Sequence, residues 1–467
     1  MEHVGKRMPS MKVSSTTRRT PAACLLVRLI GIFLLSSLSG RAGADEQKTE
    51  TTEPVTNGAQ PKDPSEEFFG DYTPGAGFRV VQTAKGELNI RVFAYVRYLN
   101  QTGLEPTYTN AFGRTSLVQQ RQDLQLNKAQ ITTFGWIMSP KLRYLAYVWT
   151  SNTSLGQLSQ VVVAGNLTYE FGPFLTVGGG VNSLPGVRTT EGTFPHWLAV
   201  DSRLIADEYF RPSYTTGIWA RGKLVNRVRY QAMLGNNLSQ FGVDASQLDN
   251  HLNTFSGELI WTPTTGEFGR ASGFGDFDAH KKVATRLGVH FTRSDENRQG
   301  QPDTEAFENA QIRISDGSII FAPDLFGDKV QIEEARYRMV SLDAGVKYRG
   351  VAVEGEYYWR RVDDFRTRGE GSLPFDDLRD VGFQIQGSLM LLPSTFQAYV
   401  GGSKVFGEYG DPSDFRLGVN WFPWKNTVVR WNAEYLHLYR SPVGALSLPF
   451  PVGGDGSVFH TNFMVYF

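Results

Sequence analysis

The chain has one cysteine, Cys24, among 467 residues, and its formal charge is zero because 47 basic and 47 acidic residues balance. A single cysteine excludes an internal disulfide and any zinc or iron–sulfur site built from several thiolates. The balanced charge argues against a nucleic-acid binder held by a basic field. Beyond residue 44 there is no apolar run of about 18 residues, so the sequence predicts no helical membrane span.

Catalytic signatures are also missing. No GxSxG, HExxH or GxGxxG sequence occurs, and the seven histidines show no spacing typical of transition-metal ligands. We therefore expect no catalytic residues, no cofactor, no metal and no enzymatic activity. Two loop histidines, His196 and His251, with Asp201 and Ser256 nearby, are the remaining hint of a barrel hydrolase.

The N-terminal region indicates export. Basic residues precede an apolar stretch from Ala22 to Leu38, which ends in the small residues Ala42-Gly43-Ala44. This pattern is typical of a cleavable signal peptide, predicted at 1–44 with cleavage near Ala44. Residues 45–68 are acidic and lack apolar periodicity, so they are predicted to be a disordered linker. The folded region is then 69–467.

Within that region the apolar residues alternate with polar ones. Clear examples are 88–98, 340–348, 381–389 and 415–421, each with one apolar and one largely polar face. Strands of about 9–11 residues with this period can cross a bilayer, although soluble antiparallel sheets alternate in the same way.

The lengths of the connections favour the membrane interpretation. Short turns, as at Ser139-Pro140 and Arg349-Gly350, alternate with long polar loops such as 183–212 and 294–335. This arrangement is typical of an outer-membrane barrel. The resulting count is sixteen strands, the first at 87–99 and the last at 457–467. Two connections are irregular: 263–281 is long for the short-turn end, and 407–411 is short for the loop end.

The C-terminus supports the same fold. The last ten residues alternate up to Phe467, with Phe459, Phe463 and Val465 on the predicted lipid face. A final strand that ends in Phe resembles the signal by which the barrel-assembly machinery recognises bacterial outer-membrane proteins.

Three segments resemble the porin O/P-like, or phosphate-selective porin, family. They are LDAGVKYRGVAVEGEYYWRRVDDF (Leu342–Phe365), RWNAEYLHLYRSPVG (Arg430–Gly444) and NFMVYF (Asn462–Phe467). The resemblance implies an all-β transmembrane antiparallel barrel of about sixteen strands, a homotrimer and a third loop, 182–212, that folds inward as a constriction. Its implied partners are outer-membrane lipid and small hydrophilic or anionic solutes.

The expected pore lining contains more basic than acidic residues. The basic candidates are Arg91, Arg97, Arg227, Arg229, Arg286, Lys347, Arg349, Arg360, Arg416 and Arg430. The acidic candidates have the same parity, meaning that the period-two alternation places them on the same inward face; they are Glu258, Asp343, Glu354, Glu356, Asp380, Asp414 and Glu434. A basic lining favours anions, because each guanidinium donates several hydrogen bonds and stays charged. The alternative is pairing of Arg with Glu or Asp across neighbouring strands, which would cancel that preference.

The third loop departs from the family pattern. Its charged residues are Arg188, Glu191, Asp201, Arg203, Asp207, Glu208 and Arg211, with no lysine. Three bases against four acids do not predict anion preference by themselves. The sequence thus favours a passive diffusion porin in the bacterial outer membrane, for small hydrophilic solutes that include anions such as phosphate. The alternatives are an outer-membrane barrel with a surface-binding or adhesion role and a barrel hydrolase.

Overall fold

A computed structural model describes residues 68–151, 160–239, 252–269, 273–298, 312–323, 325–327, 330–444 and 448–467. The predicted signal peptide and almost all of the predicted linker lie outside these residues. Within the described residues, no helix has the length and apolar character needed to cross a membrane.

The described elements are twenty β-strands, a single turn of 3-10 helix and one short α-helix. The strands are β1 (Phe68–Thr73), β2 (Gly77–Thr83), β3 (Gly86–Leu104), β4 (Thr107–Thr109), β5 (Thr115–Leu117), β6 (Gln122–Ile137), β7 (Ser139–Ser151), β8 (Gln160–Gly172), β9 (Leu175–Ser183), β10 (Tyr214–Val225), β11 (Val228–Gly235), β12 (Thr254–Trp261), β13 (Ala284–Asn297), β14 (Gln331–Tyr348), β15 (Val351–Arg368), β16 (Leu378–Leu392), β17 (Phe396–Phe406), β18 (Ser413–Trp421), β19 (Val429–Tyr439) and β20 (Gly456–Tyr466). The 3-10 turn is Arg188–Thr190, and the helix α1 is Ile205–Phe210.

Sixteen strands form a closed antiparallel barrel. Pairing runs from β3 to β6 and then through consecutive strands to β20, which returns to β3. The predicted fold class and strand count are confirmed. Several strands are longer than expected at their loop ends; β15, for example, continues to Arg368. Their cross-strand hydrogen bonds extend beyond the apolar band that revealed them in the sequence.

A hairpin that the sequence did not reveal lies before the barrel. Strand β1 pairs with β2, and β2 pairs with the first residues of β3, with Phe78 opposite Ile90. Strand β20 occupies the rest of that β3 edge, with Tyr466 opposite Phe93. The hairpin therefore continues the last strand along one edge of β3. Phe467 links the hairpin to the last strand, because its backbone forms hydrogen bonds with Val92 and its ring lies 6.1 Å from that of Phe78.

The strands present an apolar face outward and a largely polar face inward. On β13, Leu287, Val289 and Phe291 are exposed, whereas Arg286 and His290 are fully buried. The same alternation occurs on β14, β16 and β18, in the parity that the sequence predicts. It follows from the pleat, which turns successive side chains to opposite faces of the sheet.

Two connections at the loop end contain small antiparallel bridges of their own. The segment around 312–321 is a small hairpin within its loop, with Arg313 opposite Ile319. The short connection 407–412 contains a bridge between Gly407 and Gly410. Rings from four different loop-end segments pack together here: Phe112, Phe326, Phe375 and Tyr409.

The described residues of the long connection at the short-turn end, 262–269 and 273–283, turn into the barrel. Phe268 and Phe274 are buried, and the Phe274 backbone N–H donates to the His196 carbonyl at 2.8 Å. Lys347 of β14 donates to the Phe268 carbonyl at 2.8 Å. We call this segment the inner turn. Its length is explained by this inward path.

Candidate pore lining and constriction

The connection between β9 and β10, residues 184–213, lies against the inside of the barrel wall; we call it the inner loop. Its attachments reach well-separated strands. The Ala206 N–H donates to Ser403 Oγ of β17 at 2.9 Å, and Asn420 Nδ2 of β18 donates to the Leu198 carbonyl at 2.9 Å. Tyr337 of β14 donates from its hydroxyl to the Phe210 carbonyl at 2.6 Å.

A wall glycine makes room for the helix of this loop. A Cβ at Gly382 would lie 2.5 Å from Cε2 of Phe210, closer than carbon atoms approach without a shift. Phe210 stacks on Tyr358 with ring centroids 5.0 Å apart and planes 10° apart. The hydroxyl of Tyr209, the residue before Phe210 in the helix, donates to the Arg313 carbonyl at 3.1 Å. Helix α1 is thus held between the wall and the 312–321 hairpin.

Glu191 of the inner loop lies among three arginines. Arg286 of β13 donates to it at 2.9 Å through Nη1, Arg229 of β11 lies at 3.2 Å, and Arg188 at 3.9 Å. Burial alone would raise the pKa of Glu191, but these arginines lower it below its usual value. Arg286 also donates to Asp343 of β14 at 2.6 Å. This Glu191 cluster joins the inner loop to three wall strands through charge.

His290 borders the same cluster. Its Nε2 lies 3.0 Å from Asp343, and its Nδ1 lies 3.5 Å from Glu258 on the adjacent strand. Donor atoms of Glu191, His290 and Asp343 lie within 4.8 Å of one another, a spacing that could hold a metal ion. The Arg286 guanidinium already bonds both carboxylates, however. A second cation there would be repelled, so the group fits an ion-pair network better than a metal site.

A second ionic cluster lies around α1. Glu208 accepts from Arg203 at 2.6 Å and from Arg211 at 2.6 Å, which holds the pKa of Glu208 well below its usual value although burial opposes this. Asp207, one residue earlier, accepts from Thr189 at 2.7 Å. Burial raises the pKa of Asp207 above its usual value. The two adjacent carboxyls thus differ in their affinity for a proton.

Asp201 anchors the middle of the inner loop to β3 and β6. Lys128 lies 2.7 Å from it, and the Tyr95 hydroxyl donates to it at 2.9 Å. Burial alone would raise the pKa of Asp201, but Lys128 lowers it below the usual value. Arg97, also on β3, donates to the Val200 carbonyl at 3.2 Å and to Asn462 at 2.9 Å.

Arg188, the first charged residue of the inner loop, binds β15. Its side chain donates to Glu354 at 3.0 Å, and its backbone N–H donates to Glu356 at 3.1 Å. Its guanidinium also lies 4.4 Å from the ring centroid of Phe274 on the inner turn. The inner loop and the inner turn therefore meet at Arg188.

Several wall arginines are paired with carboxylates. Arg360 lies directly opposite Asp380 in the β15–β16 register and bonds to it at 2.7 Å. Arg416 lies 3.4 Å from Asp414 and 3.7 Å from Glu434. The pairs Arg360–Asp380, Arg416–Glu434 and Arg286–Asp343 join neighbouring strands, as the pairing alternative expects, whereas Arg229 pairs with Glu191 of the inner loop. These pairs occupy guanidinium donors that would otherwise be available to a solute.

Other predicted lining residues have different surroundings. Arg91 lies over the rings of Phe134 and Tyr466, at 5.0 and 5.2 Å. Lys347 and Arg430 are buried and donate to backbone carbonyls of the inner turn and the inner loop.

Two of the predicted lining residues lie in turns, which corrects the expectation that they belong to strands. Arg227 lies between β10 and β11 with φ of 65°, exposed, and donates to the Pro263 carbonyl at 2.5 Å. Arg349 lies between β14 and β15 with φ of 49°. A tight turn needs such backbone angles and ends the alternation, so parity fails at these positions.

Sequence reasoning missed residues that matter in these clusters, above all Lys128, Tyr95 and His290. Tyr95 and His290 have the inward parity of predicted neighbours, Arg97 and Arg286, so parity alone could have found them. Lys128 follows a register shift between β3 and β6, where the pairing skips one residue. A bulge of this kind is invisible in the alternation.

The hint of a hydrolase finds no assembled site among the described residues. Asp201 binds Lys128 and Tyr95, while Ser256 pairs with Thr292 at 2.8 Å on the neighbouring strand. His196 lies in the inner loop, with its ring 5.7 Å from that of Tyr466. His251 lies outside the described residues.

No protein-family model matches the chain, and no curated protein matches it by sequence. Solved structures do match its fold. The outer-membrane channel DcaP of Acinetobacter baumannii has a TM-score of 0.51 at 9% identity, covering 84% of this chain and 99% of that one. An anion-selective porin from Comamonas acidovorans has 0.50 at 10% identity, covering 82% and 100%. OmpT, expressed in the outer membrane of Vibrio cholerae, has 0.50 at 10%, covering 83% and 99%. At these identities the likeness concerns the fold.

Proposed function

We propose that this chain is a bacterial outer-membrane porin through which small hydrophilic solutes, anions such as phosphate among them, diffuse passively. The observation that supports this most directly is the closed sixteen-strand barrel with an apolar outer face and a charged inner one. A barrel of about sixteen strands is wide enough for an aqueous channel. The inner loop narrows such a channel from one side.

The outward face supports a membrane location. Aromatic and aliphatic side chains such as Trp359, Phe383 and Leu417 are 38–55% exposed although they are large and apolar. In water such a surface would drive association, whereas lipid solvates it. The proposal includes export by the signal peptide 1–44, insertion through recognition of Phe467 by the barrel-assembly machinery, and a homotrimer as implied by the resemblance to phosphate-selective porins.

Anion preference within this proposal depends on the charges left after pairing. Arg286, Arg229 and Arg188 share one carboxylate, Glu191, and Arg286 also shares Asp343 with His290. Three guanidiniums therefore meet where the inner loop meets the wall, although Glu354 beside Arg188 and Glu258 beside His290 balance part of their charge. Elsewhere, as at Arg360 and Asp380, charges are paired one to one. We therefore propose a weak anion preference, not a strict phosphate specificity.

Planar-bilayer recording of the refolded protein under a KCl gradient tests the proposal. Stable conductance steps with a reversal potential on the anion side are the expected result. Steps with cation preference would retain the pore and reject its anion preference. Folded, heat-modifiable protein without any conductance would reject the porin and favour a surface-binding role for the loop end.

A further inference from the structure

A small cavity lies at the short-turn end of the barrel, between the inner loop and the inner turn. We call it the Arg430 cavity; its volume is about 60 Å³, and Trp197, Phe422, Thr427, Arg430, Met464 and Tyr466 are among its lining residues. Four of these six side chains are aromatic or a thioether. These side chains form an apolar part of the wall around Arg430, and the rest of the lining includes polar residues such as Asp276, His280 and Lys347.

The charged group is the guanidinium of Arg430, the second residue of β19, which is 4% exposed. Its Nη1 donates to the Trp197 carbonyl at 2.6 Å, and its Nη2 lies 3.4 Å from the Met464 sulfur. Its Nε is buried and has no hydrogen-bond partner within the described residues. The same holds for the hydroxyl of Thr427, on the turn just before β19.

The other charges at this cavity have their own partners. His280 lies between Asp276, with which it pairs through Nδ1, and Glu267, 3.1 Å from Nε2. Asp278, which also lines the cavity, is exposed to solvent. Lys347 donates to the carbonyls of Phe268 and Gly273. In contrast to Arg360 and Arg416, Arg430 forms no ion pair with a carboxylate in the part of the chain that the structure describes. A buried cation without a counter-charge is costly, and proteins normally pair such a group.

We infer that the Arg430 cavity is a binding site for a short-chain monocarboxylate. The carboxylate accepts from Arg430 Nε and from the Thr427 hydroxyl, and the alkyl part lies against Trp197, Phe422 and Met464. This supplies the missing negative charge and satisfies both unpartnered donors. The inference concerns binding and does not depend on whether the barrel conducts ions.

The size of the cavity limits the ligand. At about 10–15 Å³ for each water-sized group, 60 Å³ accommodates roughly four to six heavy atoms. Acetate has four and propionate five. A larger anion such as a morpholine sulfonate does not fit, which provides a control of equal charge.

Saturation-transfer difference NMR on propionate, with the refolded full chain in nanodiscs, tests the inference. Protein resonances are irradiated, and transfer to the ligand is expected to be strongest at the propionate methyl group, beside the aromatic walls. A five-atom ligand is expected to have a Kd of about 1 mM, within the range of this method. The morpholine sulfonate is expected to show no transfer, and nanodiscs without protein give the background.

Two variants locate the site. Arg430→Met removes the charge and keeps a long apolar side chain, so we expect at least a tenfold loss of propionate transfer. Because an unpaired buried charge is replaced by an apolar group, this variant is expected to fold. Thr427→Leu keeps Arg430 but fills the cavity from the turn, and should weaken binding as well. Arg293→Gln removes a loop-end arginine, 48% exposed at its side chain and paired with Asp295, as the matched control.

The possible outcomes separate clearly. Propionate transfer that both cavity variants remove, and that Arg293→Gln retains, supports the site. Equal transfer in wild type and Arg430→Met overturns it, as does equal transfer with the large sulfonate. Complete displacement of propionate by millimolar chloride would show a halide site and reject the carboxylate.

Discussion

Replacing Glu191 by Gln should shift the ion selectivity of the pore towards anions. The substitution removes the carboxylate that Arg286, Arg229 and Arg188 share, while its amide keeps nearly the same shape. At about 5 Å in a water-like lumen, one unit charge acts on a monovalent ion with about 0.8 kcal/mol, or roughly fourfold in local concentration. Because the local concentration of anions rises and that of cations falls, the chloride-to-potassium permeability ratio should rise by between about four- and sixteenfold.

The assay is the reversal potential in a planar bilayer under a KCl gradient. It is best measured near about 0.1 M salt, where the screening length is about 10 Å. Glu334→Gln is the matched control, because Glu334 lies at the loop end of β14, 49% exposed at its side chain, with Arg366 as its partner. This control should leave the reversal potential unchanged.

A double variant separates charge from loop displacement. Glu191→Gln with Arg286→Gln restores the charge balance but leaves the inner loop without its strongest link to β13. If charge sets selectivity, the reversal potential returns towards wild type. An unchanged reversal potential in Glu191→Gln, or the same anion shift in both variants, would refute the reasoning.

Three further predictions concern the inner turn, the inner loop and the barrel seam. Hydrogen bonds from Asp276 and Glu267 raise the pKa of His280 to about 9, from 6.5 in the unfolded chain. The stability this gives is complete below pH 6.5 and is lost as pH rises through 9, so His280→Gln should accelerate amide exchange in the inner turn at pH 7 and equal wild type above pH 9. Gly382→Leu should displace α1 through its clash with Phe210, giving larger and noisier conductance steps, and unchanged steps would contradict the docking of α1. Deleting Phe467 removes its two backbone bonds to Val92, so refolding yield on a heat-modifiable gel should fall several-fold, whereas Phe467→Tyr should refold like wild type.

The barrel could be predicted from the sequence because alternation over long strands is a repeated signal. Residues such as Leu342 and Asp343 differ in polarity, and the pleat turns that difference into two faces. The β1–β2 hairpin escaped prediction because β1 is short and Gly-containing, and the register shift near Arg79 interrupts the alternation of β2. Turn residues such as Arg227 escaped for a related reason, since parity has no meaning where φ is positive.

The candidate site was predictable in its residue types but not in its pairings. Parity placed Arg360 and Asp380 on the inner face, but only the register shows that they lie opposite each other. The length of 263–281 was visible in the sequence, whereas its inward path depends on where Phe268 and Phe274 become buried. How many wall guanidiniums remain available to a solute depends on these contacts, which the alternation of residues alone does not give.

The seam at β3 has a consequence for how the barrel folds. The ladder from β20 to β3 joins residues as distant as Phe93 and Tyr466, and closing such a length of chain costs roughly 5 kcal/mol of entropy. The β2 ladder on the same edge joins near neighbours such as Thr83 and Gly86 and can form at once. The fast hairpin therefore covers only the first residues of the edge and leaves the stretch from Phe93 onward vacant. We therefore expect Phe467, which contacts both Val92 and Phe78, to dock last and to complete the closure of the barrel.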